Sequence, residues 1–146
     1  MKLVIQRTLG SSVSTAERGM IGRIEKGVCV LVGIGENDTE REISWCHDVI
    51  LNSKLWPDEA GKPWKLSVKD LNLGVLLVSQ FTLYAKLQKK SKLDFHKAMG
   101  PIPAKELYDS LYTSIENTIG TTNTQAGEFG GMMEVRIIYV YFITYM

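Results

Sequence analysis

With 146 residues, 45% of them hydrophobic and 23% charged, the chain can bury one packed core, and a single domain over residues 1–146 is expected. A formal net charge of +1 argues against a protein held to nucleic acid by bulk electrostatics, although a local basic patch remains compatible with it. No apolar run is long enough to span a bilayer, and MKLVIQRTLG is too short and too interrupted by Gln6 and Arg7 for a signal peptide, so a cytoplasmic protein is expected.

Lys2 to Thr8 reads as a strand on Leu3, Val4 and Ile5. SSVST (Ser11–Thr15) and MIGRIE (Met20–Glu25) read as a hairpin turning around Glu17–Gly19. GVCVLVGIG, from Gly27, is almost wholly apolar, which suggests a strand covered on both faces. Thr39 and Glu42 have capping-box spacing, and Ile43, Cys46, Val49 and Ile50 follow at helical spacing, so a helix is predicted to end near Asn52. WPDEAGKPW reads as a turn-rich loop. GVLLVSQFTLYA (Gly74–Ala85) is predicted to be a second buried strand. KLQKKSK is a basic loop, and GPIPAKELYDSLYTSIENT opens a helix on its prolines, with Leu107, Leu111 and Ile115 as the apolar stripe. TQAGEFGG reads as a turn before the closing strand VRIIYVYFITYM. The order of elements predicts an α+β fold: mostly antiparallel β-sheets or a barrel with two helices packed on one side.

Few segments carry chemistry by pattern. GIGEND (Gly33–Asp38) lacks the third glycine of a dinucleotide loop and reads as a strand-to-helix turn. His47 and His96 are the only histidines and neither sits in a ligand-spaced cluster, so no metal is expected. Cys29 and Cys46 lie in apolar contexts and read as buried free thiols. Lys86, Lys89, Lys90 and Lys92 form the densest basic cluster, either a solvated loop or a contact for phosphate backbone beside a site. The unusual feature is SQFTL: Ser79, Gln80 and Thr82 interrupt a strand that otherwise reads as buried, and buried polar groups cost free energy unless paired. Such a strand ends at a pocket rim, or its hydroxyls bond across the sheet. A bend near Phe81 would let Ser79 and Thr82, which alternate in direction, reach one pocket.

VLLVSQFTLYA resembles the signature strand of D-aminoacyl-tRNA deacylases (D-tyrosyl-tRNA deacylases). MKLVIQRTLGSSVST, RIEKGVCVLVGIGENDTE, DEAGKPWKLSV, LDFHKAM, AKELYDSL and GEFGGMMEV each resemble a family segment in the same order, with FHKAM and GKPW closer to eukaryotic members. The resemblance implies a homodimer that hydrolyses the ester of a D-aminoacyl-tRNA, or of glycyl-tRNA mischarged on tRNA(Ala), as translational proofreading, without metal or cofactor. It places Ser79, Gln80 and Thr82 in the catalytic segment and Phe81, Phe129 and Met133 against the aminoacyl-adenosine. Thr82 would be the nucleophile, or a water would attack with help from the substrate's 2′-hydroxyl and backbone amides.

The likeness breaks in two places. The family's cross-subunit Gly-Pro element, which blocks L-amino acids, falls on Tyr139–Thr144, with Tyr141 and Phe142 at the Gly-Pro places; the GPIP at Gly100–Pro103 lies elsewhere in the order. A cis bond without proline costs about 3 kcal/mol, so the filter is expected to be missing. The alternative function is a non-catalytic dimeric or tRNA-binding relative, and a misjoined exon or frame change is another origin for the tail. Lys54 stands where an arginine is usual, and Lys90 and Leu93 replace a usual glycine and proline, so the loop before Asp94 is expected to differ in shape.

Overall fold

Residues 1–139 are described by a computed structural model. Strands β1 (Lys2–Thr8), β4 (Gly27–Gly33), β5 (Gly74–Ser79) and β8 (Thr124–Ala126) form a four-stranded sheet in the order β1-β4-β5-β8. A three-stranded sheet, β3-β2-β9, is made by β2 (Gly10–Thr15), β3 (Gly19–Ile24) and β9 (Glu134–Ile138). The short strands β6 (Lys86–Leu87) and β7 (Leu93–Asp94) pair as a hairpin. Helices α1 (Glu40–Asn52) and α2 (Pro101–Ile119) complete the architecture.

Side-chain alternation explains the three layers. Val28, Val30 and Val32 of β4 and Val75 and Leu77 of β5 join Ile43, Cys46, Ile50 and Leu51 of α1 and Ala104, Tyr108, Leu111 and Ile115 of α2 in one core. Cys29, Leu76 and Val78, which alternate with them, pack with Val13 and Ile24 in a second core between the sheets. The continuous apolar runs in β4 and β5 therefore reflect burial on both faces, and both helices lie on the same face of the four-stranded sheet, as expected. Burial pushes the Cys29 and Cys46 thiols up to about 12, so both are free, protonated residues of the interior.

KLQKKSK, read as a basic loop, opens the β6–β7 hairpin, and the other predicted elements hold with three corrections. The four-stranded sheet is mixed: β1–β4 is antiparallel, but β4–β5 and β5–β8 are parallel. TQA forms β8 rather than a turn, because it pairs with β5, far away in the chain. Finally, β5 stops at Ser79, not Ala85, for want of a partner: its last ladder pair is Val32–Ser79, and β4 ends one residue later. Helix α1 starts as expected. The Thr39 hydroxyl accepts from the Arg41 amide, and the Glu42 carboxylate accepts from the Thr39 amide at 2.7 Å. At α2, Gly100 is the N-cap and Pro101 the first helical residue, so GPIP is a helix start. β9 covers the expected closing strand up to Ile138; the reading of Tyr141 and Phe142 lies outside the described residues.

Beyond β5 the chain turns into a 3-10 turn, Phe81–Tyr84, laid across the end of β4. Gly33 makes that approach feasible: a Cβ there would lie 2.9 Å from Leu83 Cβ and 3.2 Å from the Gln80 carbonyl oxygen. The first glycine of GIGEND, Gly33, thus serves close packing. The turn is pinned from the other side as well. Lys2 Nζ donates to the Leu83 carbonyl at 2.9 Å and sits over the Tyr84 ring, and the Tyr84 hydroxyl meets Asp38, which also binds the Met1 amine at 2.5 Å.

A separate loop anchor lies at Asp70. Its carboxylate accepts from Lys54 Nζ at 2.6 Å and from the Ser67 amide and hydroxyl at 2.7 and 2.8 Å, so Lys54 holds one point contact where an arginine could hold two. These bonds, Lys54 first, hold its carboxyl down at about 2. A carboxylate depressed below its unfolded value of about 3.9 stabilises the fold above about pH 4 and loses that contribution as pH falls toward 2. Asp70→Asn is expected to lower the melting temperature at pH 7 and to flatten its fall between about pH 4 and 2; equal melting temperatures at pH 7 would contradict this. Gly33→Ala is expected to cost about 1–3 kcal/mol in denaturant unfolding, as overpacking does, and to speed hydrogen exchange at the bonded Leu83 and Ala85 amides. Wild-type stability would show that the turn can shift freely.

Candidate functional site

The early end of β5 creates the site. The Gln80 amide adds one last bond to the ladder, donating to the Val32 carbonyl at 2.8 Å, and the backbone then leaves extended geometry. Leu83 donates to the Gln80 carbonyl at 3.3 Å, closing the 3-10 turn. The amides of Phe81 and Thr82 precede that first bond and have no hydrogen-bond partner among the described residues.

A cavity of about 560 Å³ opens here, within the range of small-molecule sites. Ser79, Gln80 and Phe81 form one wall, and Phe129, Gly130 and Met133 form the facing one. The two walls are tied together, since the Gly130 amide approaches Ser79 Oγ at 3.4 Å. Phe81 meets Phe95 edge-on at 5.2 Å between ring centroids. Phe129 packs at 5.4 Å on Tyr108, whose buried hydroxyl has no partner among the described residues and whose pKa is raised by burial. The Met133 sulfur is held by the Glu128 amide at 3.1 Å, which sets the loop that carries Phe129.

Five of the six residues singled out from the sequence (Ser79, Gln80, Phe81, Phe129 and Met133) line this one cavity. Thr82 does not. The bend brings Ser79 to the pocket, but the exposed Thr82 hydroxyl accepts from Gln80 Nε2 at 2.5 Å, outside the lining. Among the described residues the partner of the Thr82 hydroxyl is Gln80, with no carboxylate or imidazole bonded to it, whereas an activated threonine needs a base beside it. Sequence reasoning assigned no site role to Phe95, Met99, Pro101 or Ala104, which also line the cavity. Phe95 and Met99 stand inside LDFHKAM, a segment marked only by its likeness to the family.

No lining residue carries an ionisable side chain; the described lining consists of aliphatic, aromatic, methionine, glycine, proline, serine and glutamine residues. The two histidines lie elsewhere: His47 bonds Thr118 on the outer side of the helices, and His96 bonds Asp94 through Nδ1. Among the described residues no group of three or more His, Cys, Asp or Glu could hold a metal, and no helix is long and apolar enough to cross a membrane. The site can exclude water from an apolar ligand, stack on rings and donate from backbone amides. It has no side chain with which to move a proton at neutral pH.

Residues 4–140 match the family model described as D-Tyr-tRNA(Tyr) deacylase. The D-aminoacyl-tRNA deacylase of Schizosaccharomyces pombe is 38% identical over 138 residues, covering 94% of this chain and 91% of its own. That of Yarrowia lipolytica is 41% identical over 140 residues, covering 94% and 90%. A solved structure described as a c-Myc DNA unwinding element binding protein superposes with a TM-score of 0.87 at 39% identity, covering 94% of this chain and 91% of that one. Another, described as a probable eukaryotic D-amino acid tRNA deacylase, superposes with a TM-score of 0.81 at 15% identity over 92% and 91%, a likeness of fold. The aromatic-walled pocket at the early end of β5 is therefore the pocket of a chain that belongs to the D-Tyr-tRNA(Tyr) deacylase family.

Proposed function

We propose that this chain hydrolyses the ester bond between a D-amino acid, or a misplaced glycine, and the terminal adenosine of a tRNA, releasing the free amino acid and the tRNA. The observation that carries the reading is a pocket sized for an aminoacyl-adenosine, walled by Ser79–Phe81 and Phe129–Met133 and lined by no ionisable side chain. Its relatives named D-aminoacyl-tRNA deacylase support the same reaction. We place the protein in the cytoplasm, as a homodimer of single-domain subunits spanning residues 1–146.

The mechanism follows from what the pocket holds. Phe81 and Phe129 bind the adenosine and ester by stacking and packing. Water attacks the ester carbonyl, activated by the substrate's own 2′-hydroxyl, because no base lines the pocket among the described residues. The negative charge that develops on the carbonyl oxygen is met by the uncommitted amides of Phe81 and Thr82, fixed donors at the start of the 3-10 turn. Gln80 supports the turn by donating to Thr82 and lines the pocket; Ser79 holds the Gly130 amide. Tyr141 and Phe142, in place of a Gly-Pro element, weaken rejection of L-amino acids.

The non-catalytic alternative is less well supported, because the curated relatives are named for the reaction. The relative described as a DNA-binding protein suggests a different partner, but a net charge of +1 gives the whole chain little sequence-independent hold on a duplex.

Single-turnover deacylation of one tRNA charged with a D-amino acid, its L-enantiomer or glycine tests the proposal. D- and glycyl-tRNA are expected to be hydrolysed, with the L-form within about tenfold of the D-form, or roughly 1.4 kcal/mol of discrimination. No reaction with either D- or glycyl-tRNA by a folded protein would end the enzymatic reading. Phe81→Ala and Gln80→Ala are each expected to slow the reaction by about 10²-fold or more, and Thr82→Ala by less than about tenfold, as befits lost positioning rather than a lost nucleophile. Complete loss in Thr82→Ala alone would make Thr82 the nucleophile.

A further inference from the structure

We propose that the β6–β7 hairpin, Lys86–Asp94, docks the sugar–phosphate backbone of the substrate RNA's acceptor end, as a second binding site outside the pocket. The inference rests on the reading of the substrate as an aminoacyl-tRNA and extends it to the RNA body.

Position is the first argument. The hairpin leaves the body directly after the Phe81–Tyr84 turn and returns directly before Phe95. Its two roots are thus fixed on Phe81 and Phe95, the ring pair at the pocket wall. Segment 97–99 behind it is locked to the β4–α1 connection, where the Glu36 amide donates to the Lys97 carbonyl and the Met99 amide to the Ile34 carbonyl. A strand leaving the pocket past Phe81 and Phe95 would meet this edge. Leu87 and Leu93 face one another across the two strands yet are 73% and 52% exposed, so the hairpin projects from the surface instead of packing on it.

Charge is the second argument. Residues 86–97 hold five lysines and one aspartate, a net charge of +4, so the rest of the chain nets −3 against the overall +1. The near-neutral total hides a strongly basic edge at the pocket mouth. Lys86, Lys89, Lys90 and Lys92 are all exposed and none makes an ion pair among the described residues. The one acid of the segment is already engaged: Asp94 accepts from Gln88 Nε2 at 2.7 Å and the His96 amide at 2.9 Å, and pairs with His96 Nδ1. Nearby Glu36 is paired with Lys97. Flexible ammonium groups without partners, arranged around a projecting tip, suit phosphates read without sequence preference.

Backbone conformation is the third. Lys90 and Ser91 both adopt left-handed φ, 60° and 57°, which L-residues with a Cβ occupy at a cost. A glycine at 90 would suit this tip better. The chain instead places an ammonium at a strained position, which makes sense if the charge is used.

Uncharged tRNA, which binds without reacting, gives the test. Its affinity is measured between 50 and 300 mM KCl for the full chain and for the triple variant Lys89→Ser, Lys90→Ser, Lys92→Ser, with folding checked by thermal melting. The log–log salt slope is expected to become shallower by about 2, and affinity at 0.1 M salt to fall roughly tenfold or more, given about 0.7–0.9 counterions released per phosphate contacted. With D-aminoacyl-tRNA, half-saturation should rise while the limiting single-turnover rate stays within about twofold. Identical slopes and affinities for variant and wild type would overturn the proposal. An intact slope difference with no deacylation by either protein would strike the catalytic reading alone. Lys90→Gly separates charge from strain: the melting temperature should rise by about 1–4 °C while the slope drops by about one. A more stable variant with an unchanged slope would also overturn it.

Discussion

The structure depends on where the parallel β4–β5 ladder ends. The Val32–Ser79 pair closes the register, β4 ends at Gly33, and the amide after Ser79 makes one more bond before the chain must leave the sheet. A strand that loses its partner in an interior cannot leave its amides and carbonyls bare. The chain answers with a tight 3-10 turn, and Gly33 lets that turn lie close against β4. The pocket wall, the free amides of Phe81 and Thr82 and the root of the basic hairpin all follow from that single termination.

Much of this was legible in the residues because it rests on short-range rules. The Thr39–Glu42 capping box, the proline start of α2 and the apolar runs of β4 and β5 each have a local physical cause, and each was found in place. The polar residues of SQFTL marked a strand end at a rim, since a buried strand has no use for three unpaired polar side chains. What stayed hidden was long-range. β8 is three residues whose strand character comes wholly from β5, 49 residues away in register, so TQA looks like any turn. The parallel pairing of β4 with β5 is likewise set by the crossover through α1, not by either strand's composition.

Thr82 shows the limit at the site. Strict alternation put Ser79 and Thr82 on opposite faces, and a bend was the way to unite them. The bend exists, but a 3-10 turn rotates successive side chains by a third of a turn instead of half, and Thr82 ends up bonded to Gln80 beside the pocket. The likeness to known relatives supplied the residue set; only the geometry separated the five that face the cavity from the one that does not. Phe95 was illegible for a different reason: its role comes from contact with Phe81 across the hairpin, and nothing local distinguishes it from a core phenylalanine.

A pocket without ionisable side chains, bordered by a basic edge, divides the work between binding and chemistry. In the proposed reaction the described residues supply apolar walls and fixed amides, and the reacting proton comes from substrate or solvent. The most direct measurement is single-turnover hydrolysis of D-aminoacyl-tRNA ending in 2′-deoxyadenosine, compared with the ribose-ended form at matched saturation. The deoxy substrate is expected to bind with similar affinity and to react about 10²-fold or more slowly, the scale of a lost acid–base contribution. Equal rates for the two substrates would contradict it, because the activating group would then have to belong to the protein.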